Sequence, residues 1–596
     1  MQGGAFLRVL LIAVAGFFLY RYLTGGSHSA AQAQPIAPES HLTPESRAPY
    51  QYCDINTEYF HARLNTRGAA LRNFELRKPK YQKHGVPIDL STTPHPGVNS
   101  GDPRVEDPTA PGLHEFRQQL FSEWRTPTVA APADVAWNVD FDSVDYHLDS
   151  ADATSCTFSY RDAKVQLLKI VRATERPYEL EVSHEIKNLD SAPRAHAFSI
   201  DTVTWLRTAD VSGGMFSRAS PFVTHAECVP EQGKILRLSI TDFDPGKFTD
   251  TEAYEVVRPA GWYQARLPTK IAALSNAYFT QGIAAVAGKG APACQVQIEN
   301  RFKGGHATDP ESGSFYRARL AYPLANLAPG ESARYVSLAY AGPKERSILA
   351  ETGGDSQQHF LELIDLGFFS VIAKVLVAFL LKVHSVVPNW GVAIIVLTMT
   401  ARILLFPLSV PSIRNMIRMR EIKPEMDAMN EKFKDDPQGR GLAQMELWRK
   451  HKVNPLKGCA PQLASMPVWF ALYTTLQTAV ELYNTPFLWF PDLSAPDPWF
   501  VLPAIIGATY FLQQKLMPMQ GGDPAQQKMM MYFMPAMFTV FMLFLPSGLG
   551  VYMFTNSVLA IAQQQLVERQ VRRSTANAKL GQAQIREQTG PREGKV

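Results

Sequence analysis

A single arginine, Arg402, interrupts an apolar run that extends from Trp390 to Leu408. A run of this length and composition predicts a membrane-spanning helix. At about 1.5 Å per residue, Arg402 would lie about 18 Å along that helix from Trp390, which is too deep for an end position. A charge at that depth costs roughly 3 kcal/mol or more to insert, so it predicts a water-filled cavity or a polar partner. The simpler alternative is that the long side chain only reaches back to the nearer membrane interface.

Polar residues in the same and in later apolar segments could line such a cavity. Thr398 lies four residues before Arg402, on the same helical face. Gln513 and Asn556 fall well inside later apolar segments and are candidates for cavity walls or interhelical hydrogen bonds. Gln563 falls near the predicted cytoplasmic end of its segment, where an ordinary interface position explains it.

The sequence contains none of the motifs that mark common enzymes and nucleotide-binding proteins. HExxH, GxSxG, GxGxxG and Walker A patterns are absent, and the nearest phosphate-loop look-alike, Gly282 to Lys289, has the wrong spacing. No CxxC pair occurs, so neither a zinc site nor a redox motif is expected. We therefore predict no metal site, no cofactor and no enzyme chemistry. Four cysteines fall in the soluble part and leave three pairings open: Cys53, Cys156, Cys228 and Cys294.

The composition of successive segments predicts the domains that surround and position Arg402. Residues 50–345 are mixed and polar, and their short alternating runs between turn residues predict an all-β domain of the sandwich type. Residues 388–567 are mostly apolar and predict a polytopic helical bundle. Residues 1–23 form another apolar segment, which we interpret as an N-terminal transmembrane anchor, with a cleavable signal peptide as the alternative. Residues 24–49 predict a flexible linker. The net charge of +4 over 596 residues does not indicate DNA binding.

The distribution of basic residues sets the orientation. Residues 411–460 contain eleven Lys and Arg, whereas residues 483–500 contain none. The positive-inside rule places the first loop in the cytoplasm and the second outside. The tail, 568–596, is also basic and cytoplasmic. The N-terminus is then cytoplasmic and the soluble domain lies outside. Residues 346–387 become a linker and an amphipathic interfacial helix. The predicted spans are 388–408, 461–482, 501–517, 529–545 and 548–567.

The first cytoplasmic loop has a helical pattern of its own. Apolar residues recur at helical spacing on both sides of a turn signal, so residues 411–456 predict a helical hairpin. Sixteen of the 18 methionines lie between Met399 and Met553. Such residues suit either a surface that accepts many apolar partners or simple gap-filling. The hairpin residues that we expect to meet a partner are Arg418, Lys423, Met426, Met429 and Trp448.

Several stretches resemble the YidC/Oxa family of membrane protein insertases. The most specific runs from Val453 to Tyr473, and the span around Arg402 is similar to the arginine-bearing span of that family. Similar stretches also occur in the outer domain. The sequence departs from the family at Ser465 and Trp469, and the segment Thr92–Pro111 is unusual. The other matching stretches are Leu493–Pro498, Asp523–Lys528, Phe544–Leu549, Asn65–Ala69, Leu327–Gly330 and Tyr340–Lys344.

The resemblance implies a fold and a function. It implies a periplasmic β-supersandwich similar in shape to sugar mutarotases, and a hydrophilic groove around Arg402 that opens to the cytoplasm and to lipid. It also implies insertion of nascent membrane proteins into the bacterial inner membrane, alone or with the Sec translocon, and contact with the ribosome and with membrane lipids. The apolar part of a substrate would slide against Met466, Trp469, Leu472, Met534 and Met537.

Two other functions are considered. A membrane-tethered periplasmic protein that binds or acts on carbohydrate would suit a mutarotase-like outer domain, but fold alone does not carry function. A solute transporter is disfavoured because no inverted repeat is evident across the five spans.

Overall fold

The computed structural model describes most of the outer domain and of the helical part. The described residues are 51–66, 68–83, 86–90, 124–125, 145–207, 223–243, 247, 249–257, 261–301, 313–354, 360–433, 436–451, 468, 470–516 and 529–588. The predicted anchor (1–23) and linker (24–49) lie outside these residues.

The outer part is built on two antiparallel sheets. The smaller sheet has five strands in the order β1-β2-β3-β5-β4. The first residues of β2 alternate buried and partly buried side chains, because one face of the sheet packs on the core. The bounds of these strands are β1 Tyr52–Asn56, β2 Phe60–Asn65, β3 Leu71–Leu76, β4 Gln82–Lys83 and β5 Val86–Asp89.

The larger sheet has fifteen strands, and its main path runs β19-β11-β18-β17-β15-β16-β20-β10-β9-β8-β7. The strands β12, β13, β14 and β6 pair at its sides. These two sheets are the large β domain that the sequence predicts. The bounds are β6 Trp124–Arg125, β7 His147–Ala151, β8 Ser155–Arg161, β9 Val165–Ala173, β10 Glu179–Asn188, β11 Arg194–Arg207, β12 His225–Pro230, β13 Leu236–Leu238, β14 Tyr254–Val257, β15 Trp262–Ser275, β16 Phe279–Ala287, β17 Ala293–Arg301, β18 Gly313–Ala321, β19 Ala325–Leu327 and β20 Ser332–Pro343.

Two disulfides choose among the three pairings that the sequence leaves open. Cys53 is bonded to Cys156, and Cys228 is bonded to Cys294. The first joins β1 of the small sheet to β8 of the large sheet, so it links the two layers covalently. Such a bond stabilises the fold chiefly by restricting the unfolded chain.

Helices form the C-terminal part. Of the predicted spans, 548–567 lies within a helix that continues into the tail, and 529–545 begins with a π-helical turn, Met529–Phe533. The bounds of the helices are α1 Arg346–Glu351, α2 Ser370–Val386, α3 Trp390–Glu421, α4 Lys423–Lys432, α5 Pro437–Lys450, α6 470–478, α7 Val501–Leu516, α8 Met534–Met542 and α9 Ser547–Gln588.

The arginine-bearing helix α3 is longer than the sequence predicts. The span was expected to end near Leu408, but the helix continues through Pro407 and Pro411 to Glu421. A proline removes one backbone donor and bends a helix without having to end it when neighbouring helices support the chain. The predicted membrane segment and the start of the predicted hairpin therefore belong to one continuous helix.

Among the described residues, one helix is long and apolar enough to cross a membrane by length and composition, over Trp390–Pro407. A shorter apolar helix covers Met531–Met542. The predicted count of five spans stays a prediction.

The outer domain packs on the outer ends of these helices. Glu481, just after α6, accepts two hydrogen bonds of 2.9 Å from the guanidinium of Arg346. Asn484 donates to the carbonyls of Lys80 and Gln82 at 2.9 and 3.0 Å. Tyr483 is buried in the hydrophobic core of the outer domain. The loop after α6 is therefore built into the outer domain.

Candidate functional site around Arg402

Arg402 lies on α3 and points at α9. The helix begins at Asn389, whose side chain accepts a hydrogen bond from the Val392 amide at 3.0 Å. Arg402 Nε donates to Asn556 Oδ1 at 2.6 Å, and Nη2 donates to the Asn556 carbonyl at 3.1 Å. Its Nη1 donates to Gln563 Oε1 at 3.4 Å. Gln563 Nε2 in turn donates to the Arg402 carbonyl at 3.2 Å.

Gln563 is the partner that sequence reasoning missed. The glutamine was assigned to an ordinary interface position, whereas its side chain contacts Arg402. A signal was present in the sequence, because Gln563 follows Asn556 by seven residues. That spacing is about two turns of helix, so both side chains lie on one face.

The charge of Arg402 meets only neutral acceptors. Among the described residues, no carboxylate lies within ion-pair distance of its guanidinium, and both side-chain acceptors are amide oxygens. Tyr510, on α7, and Tyr552, on α9, lie near it. Arg402 is half-buried. A guanidinium keeps its charge in proteins, so within the described part of the chain this site carries a positive charge that no carboxylate neutralises.

Three further side-chain oxygens are buried on α6, α7 and α9. The side-chain oxygens of Thr475, Gln513 and Gln564 have no hydrogen-bond partner among the described residues. A buried polar group without a partner costs free energy, so each favours a polar occupant beside it. Gln513 was predicted from the sequence, and it lies one turn after Tyr510 on α7.

Thr398 is placed differently from the expected cavity wall. It is buried with 1% of its surface exposed, and its hydroxyl donates to the Ile394 carbonyl of the same helix at 2.7 Å. Its polar group is therefore satisfied within α3 and is not presented to a cavity.

The predicted apolar contact residues fall into three groups. Leu472 is buried in the core cluster of the helical part. Met537 is 41% exposed and Met534 is partly exposed, both on α8. Met466 and Trp469 lie outside the described residues.

The predicted cytoplasmic hairpin corresponds to α4 and α5, after the end of α3. Met426 is buried with Met419 and Ile422, and Leu447 and Trp448 pack against them. A cavity of about 450 Å³ beside Met429 is lined by residues of both helices. Arg418 is exposed, and Lys423 is half-buried. The five predicted hairpin residues thus divide between its core and its surface.

The described residues contain no cluster of three or more His, Cys, Asp or Glu that could hold a metal ion.

Comparisons with known proteins identify relatives along most of the chain. The family described as 60Kd inner membrane protein matches residues 382–574, and the family described as YidC periplasmic domain matches residues 115–379. A protein named Membrane protein insertase YidC from Anaeromyxobacter sp. (strain K) is 35% identical over 87% of this chain and 85% of its own length. A protein of the same name from Paraburkholderia phymatum is 31% identical over 87% of this chain and 84% of its own.

One solved structure is similar over most of the chain. It is described as "Active YidC insertase crystal structure with the first transmembrane domain resolved", and it is 15% identical. The similarity covers 93% of this chain and 98% of that one, with a TM-score of 0.34.

Proposed function

We propose that the chain, which belongs to the YidC family of membrane protein insertases, uses Arg402 and its neutral partners to admit polar segments into the bilayer. It is an inner-membrane protein with a periplasmic domain, and its substrates are nascent membrane proteins.

The observation that carries the proposal is the unneutralised charge of Arg402. Its hydrogen bonds go to Asn556 and Gln563, which fix the guanidinium without cancelling its field. In a region of low dielectric constant, such a charge attracts acidic residues of an incoming chain more strongly than it would in water. It also favours water around it, which lowers the cost of bringing a polar segment partway into the membrane.

The other buried polar atoms support a hydrated groove. The oxygens of Thr475 and Gln513 would gain hydrogen bonds when water or a polar substrate group reaches them. These two residues lie on α6 and α7, whereas Arg402 lies on α3. Polar groups from three helices would therefore line one groove that opens to the cytoplasm.

The apolar part of the substrate would move along α6 and α8. Met537 and Met534 offer flexible apolar contacts there, whereas Leu472 is buried in the core and would only support that surface. Met466 and Trp469, which precede α6 in the sequence, remain predicted contacts. Burial of that segment in lipid provides the driving force for its release, so no nucleotide, cofactor or chemical step is required.

The remaining assignments complete the proposal. The N-terminal anchor and five spans would place both termini in the cytoplasm. The hairpin, through residues such as Arg418 and Lys423, and the basic tail would meet the substrate or a ribosome. The chain would work alone or beside the Sec translocon, in contact with membrane lipids. The outer sheets would form the β-supersandwich, and membership of the family does not favour a carbohydrate function for them.

Reconstitution tests autonomous insertion. The purified full chain is placed in liposomes with a ribosome-free, single-span substrate that has a short acidic translocated tail, and protection of that tail from protease is scored. Empty liposomes and heat-denatured protein are the controls. Protection well above both controls is expected. Protection equal to that of empty liposomes, with the protein folded and correctly oriented, would contradict the proposal and favour an accessory role beside a translocon.

A further inference from the structure

Arg420 joins three helices at the cytoplasmic end of the bundle. It lies near the end of α3, and its Nη1 donates to Glu568 Oε1 on α9 at 3.2 Å. Its Nη2 donates to the carbonyl of Leu516, the last residue of α7, at 2.7 Å. The guanidinium of Arg420 thus connects α3 to both α7 and α9.

The contact with Leu516 lies in the last turn of α7 that the structure describes. Carbonyls toward the C-terminal end of a helix carry a partial negative charge that favours a cation. Arg420 supplies both the donor and the charge from another helix. Gln564 Nε2 also approaches the Leu516 carbonyl, at 3.4 Å. The end of α7 is therefore held by side chains of α3 and α9.

Glu568 fixes the arginine in place. It is 9% exposed and accepts hydrogen bonds from Arg420 and from Arg572, one turn later on α9. A largely buried carboxylate between two cations orients a planar guanidinium more firmly than a solvated partner could. Below this cluster, Ile413 and Ile417 of α3 pack against Val567 of α9.

The same three helices carry the Arg402 site. Arg420 and Arg402 share α3 and lie about 27 Å apart along it. Asn556 and Glu568 share α9, and Gln513 lies one turn before the Leu516 carbonyl on α7. The position of the end of α7 thus sets where Gln513 and Tyr510 stand relative to Arg402.

We propose that Arg420 is a positioning residue for insertion, which holds the cytoplasmic end of α7 against α3 and α9 and so fixes the mouth of the groove. This inference rests on the proposed role of the Arg402 groove. Loss of Arg420 would let the end of α7 move, would leave Glu568 with one cation fewer, and would misplace the polar wall that Arg402 faces.

The test measures geometry and activity together. Spin labels at Leu512→Cys near the end of α7 and at Gln570→Cys beside Glu568 on α9, in a Cys459→Ser background, report the distance between α7 and α9 at this level in the full chain in liposomes. Arg420→Ala, Arg420→Lys and the control Arg414→Ala are compared, with melting temperatures recorded. Arg414 is exposed on the same helix and makes no ion pair among the described residues.

We expect Arg420→Ala to lengthen or broaden the distance and to lower insertion of the acidic-tailed substrate about tenfold, the size of one lost charge-assisted hydrogen bond. Arg420→Lys should recover part of the wild-type distance and part of the wild-type insertion. Arg414→Ala should change neither the distance nor the insertion. If Arg420→Ala does not fold, Glu568→Gln replaces it, because that change removes the negative charge from one acceptor of Arg420, weakens that contact and should shift the distance in the same direction.

An unchanged distance in Arg420→Ala overturns the inference, whatever happens to insertion. A changed distance with wild-type insertion overturns it as well, because the end of α7 would then move without consequence. Arg402→Ala is assayed in parallel to separate the two proposals. If only the Arg420 variants insert normally, the Arg420 inference alone fails. If Arg402→Ala also inserts normally, the proposed groove function fails with it.

Discussion

Arg402 and Asn556 are joined by two hydrogen bonds, from Nε to the side-chain oxygen at 2.6 Å and from Nη2 to the backbone carbonyl at 3.1 Å. Both acceptors are neutral, so the pair fixes the geometry of the guanidinium without neutralising it. A carboxylate at the same place would hold the arginine at least as well but would cancel its field. Because the Asn556 side chain is a neutral amide, the charge of Arg402 stays available to a substrate.

Replacing Asn556 by Asp tests that distinction. The new carboxylate would form a charge-assisted pair with Arg402, so the melting temperature should stay the same or rise. Insertion of an acidic-tailed substrate should fall about tenfold, which corresponds to about 1.4 kcal/mol. Gln570→Glu, the same type of charge change at an exposed position of α9, is the control and should insert normally. Equal insertion by Asn556→Asp and wild type would mean that the charge of Arg402 does not act on the substrate.

The Glu481–Arg346 pair should hold the outer domain on the helical part. Both side chains are largely buried, with exposures of 10% and 13%. Glu481→Gln leaves Arg346 without its ionic partner, and breaking a buried pair costs about 3 kcal/mol. We expect a melting temperature several degrees lower for the full chain in detergent. Glu362→Gln, an exposed change nearby, should melt as wild type does, and the same melting temperature for both variants would contradict the account.

Lys169 should make the outer domain more stable at alkaline pH. It is buried on β9, where its Nζ donates to the Ala69 carbonyl at 2.8 Å, and burial lowers its pKa to about 7. The folded pKa lies below the ordinary value of 10.5, so the unfolded chain binds more protons between those two values. The contribution of Lys169 to the free energy of unfolding therefore rises with pH from about 7 towards 10, and it does not change with pH below 7.

Lys169→Met removes that titration. The variant should be more stable than wild type at pH 7, and the difference should shrink as the pH approaches 10. Denaturant unfolding of the full chain, followed by a probe in the outer domain at several pH values, measures it. Lys164→Met, at a surface position of the preceding turn, is the control. Parallel stability curves for Lys169→Met and wild type would show that the amine is not desolvated in the folded protein.

Much of the architecture could be predicted from the sequence, because its signals are local. The alternating pattern of strands such as β9, where Val165, Leu167 and Val171 face the core, predicts a β domain. The apolar run around Arg402 predicts α3, and the matched motifs identify the family. Lys169 falls on the inward side of the same alternation, but its burial was not predicted, because a lysine by itself indicates a solvated position.

The site was only partly predictable because its contacts are between distant segments. Arg402 and Asn556 are 154 residues apart, so polarity within an apolar segment could nominate each of them but could not pair them. Thr398 was expected to face the cavity, yet a threonine in a helix can satisfy its hydroxyl on its own helix, as it does here with Ile394. The length of α3 was underestimated because the apolar run ends at Leu408, whereas the helix continues through a more polar segment to Glu421.

The most direct test of the central claim compares Arg402→Ala with wild type on three substrates that differ only in the translocated tail, which is acidic, neutral or basic. The account predicts that Arg402→Ala lowers insertion of the acidic-tailed substrate about tenfold, leaves the neutral one nearly unchanged and does not impair the basic one, because the lost term is an attraction between opposite charges. Arg402→Lys should keep most of the wild-type insertion of the acidic-tailed substrate. Wild-type insertion of all three substrates by Arg402→Ala would contradict the account and would leave Arg402 as a residue that only reaches the membrane interface.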